Sequence, residues 1–179
     1  MANLPKQYEW LNSEGAPKMI IEALKLYGTI ETPGAGNTKT IIEWAEEVGG
    51  KVSDIFKADS IPWCGLFMAV VAKRAGKEIP KSPLWALSWS NFGILSNTPM
   101  LGDVLTFTRK QGGHVGLYVG EDATTYHVLG GNQSDKVNIM RIDKKRFYVA
   151  RRPIYSTAQP SNVRKIELSA TGIISDNEK

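Results

Sequence analysis

The chain is poor in the residues that build staples and metal sites. Among 179 residues there is one cysteine, Cys64, and there are two histidines, His114 and His127. One thiol cannot close an intramolecular disulfide, which excludes a disulfide-stapled scaffold and any zinc site made of several cysteines. Two histidines leave little for a metal-ligand cluster, and no cofactor is called for. Long apolar runs are missing as well. The longest, residues 65–72, falls far short of the ~20 residues that span a bilayer. The N-terminus from Met1 to Trp10 has no apolar core of signal-peptide length. The expectation is a chain made in the cytosol without a signal peptide, whose thiol stays reduced, and which needs another route if it acts outside the cell. A large excess of one charge is also lacking: 22 basic against 18 acidic residues leave +4. That mild basic bias is compatible with an anionic partner but does not identify one. What is present is an ordinary globular balance, 42% apolar and 22% charged, in a length that suits one domain.

Periodicity divides that domain into a helical first half and a stranded second half. Residues 1–15 read as a polar arm. Met19, Ile20, Ala23, Leu24 and Tyr27 recur at helical spacing within residues 16–27, and Gly28 ends the run. A second helix is expected over Lys39 to Val48, with Asn37 or Thr38 as its cap and Gly49-Gly50 as its stop. A third is expected from near Trp63 to Ala75. Its residues 66–72 are apolar on every face, which predicts burial. Residues 80–98 read as a connector with a short helix around Trp85 to Phe92. From Gly102 the period becomes two. Strands are expected at 104–107, 115–119, 126–129, 137–140 and 147–151, joined by short loops that favour antiparallel pairing. Helices first and a meander afterwards is an α+β pattern. The stretch from Ser156 is polar apart from Ile166, Leu168 and Ile173-Ile174, and reads as a tail or a small appended hairpin.

A lone cysteine is most often a buried filler. Cys64, however, falls in the first turn of its helix, where unpaired N–H groups and the helix dipole favour an anion such as a thiolate. The same N–H groups suit an oxyanion forming on a substrate. His114 opens a strand and is flanked by glycines, in Gly112-Gly113-His114-Val115-Gly116. A water-facing hairpin tip fits that setting, and so does a general base that must reach both a sulfur and a substrate. Asn132 follows in Leu129-Gly130-Gly131-Asn132-Gln133. It reads either as an Asx turn or as the amide that orients the imidazole. Strand parity points His127 and Asn132 to opposite faces, so His127 is expected to be structural or surface-facing.

Taken in order, Pro62-Trp63-Cys64-Gly65-Leu66-Phe67, Gly102-Asp103-Val104, Gly113-His114-Val115-Gly116, Leu129-Gly130-Gly131-Asn132-Gln133 and Arg151-Arg152-Pro153 resemble the NlpC-like and CHAP-like cysteine peptidases. The likeness is greatest to a subgroup common in phages, prophages and bacterial secretion loci. It covers roughly residues 16–153 and extends upstream through Glu31-Thr32-Pro33-Gly34 and Asn37. The resemblance implies a papain-like α+β catalytic domain over 16–153, with an arm before it (1–15) and a tail or hairpin after it (154–179). It implies Cys64 as nucleophile, His114 as base and Asn132 as the orienting third member, acting on peptide or amide bonds of peptidoglycan. Many CHAP domains carry a glutamate two residues before the asparagine. Here that position is Gly130, so the third role falls on Asn132 with no carboxylate behind it.

The expected reaction is acyl transfer, with the Cys64 N–H and a second donor, Gln133 or Tyr8, at the oxyanion, and with Trp63 and Gly113 beside the substrate. Expected partners are peptidoglycan and, depending on delivery by holin, phage or secretion system, an immunity protein or a secretion or phage-tail component. A non-catalytic wall-binding or virion structural protein of the same fold is the competing class. The basic residues Lys136, Arg141, Lys144, Lys145, Arg146, Arg151 and Arg152 could dock on anionic polymers, but a solvated strand face accounts for them at least as well. No nucleic-acid motif accompanies them. Trp63, Trp85 and Trp89 are read as core in preference to a sugar or peptide cleft.

Overall fold

A computed structural model describes residues 1–15, 17–34, 36–171 and 174–175. The chain is α+β, with four α-helices and a seven-stranded mixed sheet among the described residues. A 3₁₀ helix, Lys6–Ser13, comes first. It is followed by α1 (Lys18–Lys25), α2 (Lys39–Val48), α3 (Lys51–Ile55) and α4 (Cys64–Arg74), then by a second 3₁₀ helix, Ala86–Asn91. The strands are β1 (Ile94–Leu95), β2 (Val104–Thr108), β3 (Gly113–Glu121), β4 (Thr125–Gly130), β5 (Asn138–Asp143), β6 (Phe147–Arg152) and β7 (Ile174–Ser175). The expected start of the first helix at residue 16 lies outside the described residues, as does Ile173 of the expected apolar pair.

α4 is the buried element that the all-round apolar pattern predicts. Every residue from Cys64 to Ala72 is buried, and Trp44, Trp63 and Phe67 pack with ring centroids 6.0–6.3 Å apart. Its end is set by a Schellman turn. Gly76 is left-handed (φ 69°), its N–H donates to the Lys73 carbonyl at 2.9 Å, and the Lys77 N–H reaches back to Ala72 at 2.8 Å. The last turn is tied to α2 by the Arg74–Glu47 pair, at 2.6 and 2.9 Å.

The strand order is β1-β6-β2-β3-β4-β5-β7. β2 to β5 form the expected antiparallel meander, but β6 does not continue it. It crosses back to the outer edge of β2, and β7 joins β5 in parallel. Two of the recognised sequence segments meet in this crossing. Asp103, fully buried, takes Arg152 Nε and Nη2 at 2.9 Å each, together with the Ser96 hydroxyl at 2.7 Å and the Met100 N–H at 3.0 Å. A buried carboxylate needs such a full set of donors, so Asp103 and Arg152 serve the sheet and not the site.

Both chain ends differ from expectation. The arm 1–15 is part of the body, since Leu4, Tyr8 and Leu11 are buried in the main core. Among the described residues, the stretch after 154 runs as a strap against the body. The Leu101 N–H donates to Arg164 O at 3.0 Å, the Glu121 N–H to Ile166 O at 2.9 Å, and the Leu168 N–H to Glu121 O at 2.8 Å. Leu168 lies over Gly120, where an added Cβ would stand 2.4 Å from its Cδ1. No helix among the described residues is long and apolar enough to cross a membrane.

The basic cluster is largely spent inside this frame. Arg141 pairs with Asp122, Lys144 with Glu121, and Arg152 with Asp103. Arg151 holds the carbonyls of Phe92 and Gly93 at 2.6 and 3.0 Å. The cluster therefore serves sheet architecture and does not form a continuous docking face.

Candidate functional site

Cys64 stands where the sequence places it, as the first residue of α4, in a side-chain environment only 3% exposed. Trp63, before it, offers no side-chain cap to the helix. Gly65, after it, is indispensable to the local packing: a Cβ there would lie 2.3 Å from the carbonyl oxygen of Pro83 and 2.7 Å from that of Leu84. The connector thus passes directly over the first turn of α4, which carries Cys64. The same segment reaches the histidine. Leu87 Cδ2 would stand 2.6 Å from a Cβ on Gly113, the residue before His114. Residues 83–87 therefore touch the immediate neighbour of each candidate, which brings Cys64 and His114 to one end of the sheet.

That end is also where β4 finishes, in two glycines that face different elements. A Cβ on Gly131 would meet Phe67 Cβ at 2.5 Å and Trp63 Cζ3 at 2.8 Å, against the start of α4. A Cβ on Gly130 would meet Gln133 Oε1 at 2.8 Å and His114 Nε2 at 3.3 Å. Neither position tolerates a side chain without displacing the site, which is the physical content of the Gly-Gly pair.

The imidazole of His114 is 1% exposed and is oriented by Gln133. Its Nε2 lies 3.0 Å from Gln133 Oε1. The amide's direction is fixed by its other end: Gln133 Nε2 donates to Val128 O (3.2 Å), Asn138 O (2.8 Å) and Asn138 Oδ1 (2.9 Å). Since Oε1 can only accept, His114 Nε2 carries a proton and donates it. The neutral ring then holds its basic lone pair on Nδ1. Phe107, paired with His114 across β2 and β3, backs the ring at 6.5 Å between centroids.

Asn132, the expected orienting residue, makes no side-chain hydrogen bond to His114. It is left-handed (φ 54°), and its buried Oδ1 has no hydrogen-bond partner. The orienting position is occupied by Gln133, one residue further on. That same engagement removes Gln133 from the oxyanion role expected of it, because its N–H groups are taken. Tyr8 is removed too, its hydroxyl lying 2.7 Å from His127 Nδ1. Trp63 is fully buried and donates its indole N–H to Glu31 Oε2 at 2.7 Å, so it anchors the site's floor and does not line its surface. Gly113 sits under Leu87. Of the three tryptophans read as core, Trp63 and Trp89 are buried, but Trp85 is 62% exposed, directly after the segment that covers Gly65.

His127 is structural and fully buried, which settles the choice left open by parity against a surface position. Its Nε2 lies 3.0 Å from Asp122 Oδ2 and its Nδ1 faces Tyr8, while Arg141 also pairs with Asp122 at 2.9 Å. Burial pushes the Asp122 carboxyl up, but hydrogen bonds from Thr125, Thr124 and His127 outweigh it and hold the group far below the usual carboxylate range. His127 is pushed below its ordinary value by burial, against the pull of Asp122.

Among the described residues no group of three or more His, Cys, Asp or Glu side chains could hold a metal ion. No family model matches the chain, and no curated protein matches it.

Proposed function

We propose that this chain is a peptidoglycan hydrolase of papain-like, NlpC/CHAP type, cutting an amide or peptide bond of the stem peptide or cross-bridge through a cysteine acyl-enzyme. The observation that carries the reading is the His114–Gln133 hydrogen bond, whose fixed amide leaves the basic lone pair on Nδ1, at the sheet end that also receives the N-terminus of the Cys64 helix. A filler cysteine needs no oriented imidazole beside its helix end. A nucleophile does.

In this reading Nδ1 of His114 takes the Cys64 proton and the sulfur attacks the scissile carbonyl carbon. The oxyanion is held by first-turn N–H groups of α4, beginning with that of Cys64. The imidazolium, steadied by Gln133, gives its proton to the leaving amine as the C–N bond breaks. Water, deprotonated by the same nitrogen, then attacks the thioester, releasing the acid and restoring the thiol. The orienting third member is Gln133 in place of Asn132.

The test is digestion of purified sacculi, with new amines counted and the released muropeptides read by mass spectrometry. Wild-type protein should release one family of fragments, which names the bond, and Cys64→Ala should release none. Wild-type-level lysis by Cys64→Ala overturns the mechanism. A non-catalytic wall-binding protein would release nothing in either form, and its thiol would react slowly with iodoacetamide at neutral pH, whereas an activated thiolate reacts fast.

A further inference from the structure

Glu31 is a carboxylate fixed at the edge of this site, with a cation on neither oxygen. Its Oε2 accepts the indole N–H of Trp63, the residue before Cys64, at 2.7 Å. Its backbone N–H donates to Asp135 O at 2.8 Å, and Ile30 bridges Lys136, so it is also bound to the loop that carries Gln133. The Trp63 ring joins the two sides, with Nε1 on Glu31 and Cζ3 against Gly131. Glu31 is half-buried. Of the other buried or half-buried acids, Glu14, Glu22, Asp103, Glu121 and Asp122 hold a basic side chain, while Asp59 and Asp143 take backbone N–H groups, from Thr32 and Thr38 and from Lys145. Among the described residues no basic side chain lies within ion-pair reach of Glu31. An immobilised carboxylate without a counterion, beside a nucleophile, is complementary to a cationic group brought by the substrate.

We propose that Glu31 is a specificity-determining residue that receives an ammonium group of the peptide to be cut. This inference rests on the hydrolase reading and names what the substrate must carry. Two amines of a wall peptide have that chemistry: the side-chain amine of a diamino acid and a free N-terminal amine. The anchoring of Trp63 is a separate task. It needs only an oxygen at that place, which Glu31→Gln also supplies, without the charge.

The probes are three synthetic stem peptides: one with both amines free, one acetylated at the N-terminus, and one acetylated at the diamino-acid side chain. Binding to Cys64→Ala protein is measured by calorimetry and cleavage by the active protein is measured by mass spectrometry. One acetylation, and not the other, should weaken binding about tenfold to a hundredfold, the size of a charge-assisted hydrogen bond, and so name the amine. Adding Glu31→Gln should erase that discrimination with the melting temperature unchanged. Discrimination that survives Glu31→Gln, equal binding of all three peptides, or binding of none overturns the proposal. Discrimination by Cys64→Ala protein together with no cleavage by the active protein overturns the hydrolase reading and leaves the ammonium site standing.

Discussion

Gln133 and Asn132 are neighbours, and the backbone between them decides which one reaches His114. β4 ends at Gly130, and three of the next five residues, Asn132, Ser134 and Asp135, are left-handed (φ 54°, 52° and 59°). So tight a coil turns the Gln133 side chain back over Gly130, where only a glycine leaves room for it. Parity along a strand foresees sides within the strand and fails once left-handed residues begin. The sequence therefore singles out the Gly-Gly-Asn-Gln segment but does not show which amide reaches His114. The placement of Cys64 and His114 at element ends was legible because the glycines and prolines announce those ends. Gln133→Ala should lower kcat by about 10²-fold or more and shift the pH–rate profile, because it acts through the His114 imidazole. Asn132→Gly should keep activity within a few-fold, and stability equal to or above wild type, since glycine adopts φ 54° without strain. Chemical denaturation and steady-state rates on both variants check this. Equal losses of activity from the two would return the orienting role to Asn132.

At the scale of elements, the N-terminal 3₁₀ helix, whose Tyr8 and Leu11 are buried in the core, carries a buried side-chain hydrogen bond from Tyr8 to His127. Burial pushes the Tyr8 phenol up to about 12, so it stays protonated and donates to Nδ1, while Nε2–H of the neutral imidazole donates to Asp122. Tyr8→Phe leaves Nδ1 buried without a donor and should cost about 1–3 kcal/mol. The same network sets the acid limb of stability. His127 has a lower pKa folded than unfolded, so the unfolded chain binds the extra proton, and stability falls as pH drops below about 6.5. Asp122, also depressed, adds stability that is present above about 4 and lost below it. Melting temperatures should therefore decline in two stages on acidification, and His127→Gln should remove the first. An unchanged melting temperature between pH 7 and pH 5 would contradict the first stage. The helical and stranded elements with strong period were legible, α2 to both of its ends, Lys39 and Val48. α3, β1 and β7 were not, each being too short to show a period. Nor was the anchoring of residues 1–15: Leu4, Tyr8 and Leu11 stand at i, i+4 and i+7, but three apolar positions in so short and polar a stretch do not separate a docked arm from a solvated one.

At the scale of the molecule, the two chain ends meet on the outside of the sheet. Asn162 and Arg164 of the strap bond Glu14, and the Thr171 hydroxyl bonds Gln7 Oε1 at 2.5 Å. The strap's firmest seat is Gly120, where Leu168 and the Ile166 carbonyl leave no space for a side chain, and beside it the Tyr118 hydroxyl accepts the Ile166 N–H at 3.2 Å. Burial, chiefly, pushes the Tyr118 phenol well above its ordinary range, so it remains a neutral donor to Glu121 Oε2 at 2.9 Å. The fit predicts non-additivity. Gly120→Val in the full chain must push out Leu168 and meet the Ile166 backbone, and should cost about 1–3 kcal/mol as an overpacked contact does. A chain ended after Thr157 loses the strap and its own share of stability, but in that background Gly120→Val has nothing to strike and should cost under about 0.5 kcal/mol. Denaturant melts of the four proteins give the coupling directly, and additive costs would mean that the strap does not sit on Gly120 in solution. The site lies at the other side of this design, among α4, the connector 83–87 and the ends of β3 and β4. Removing the strap should therefore lower the melting temperature while leaving the rate per folded molecule close to that of the full chain.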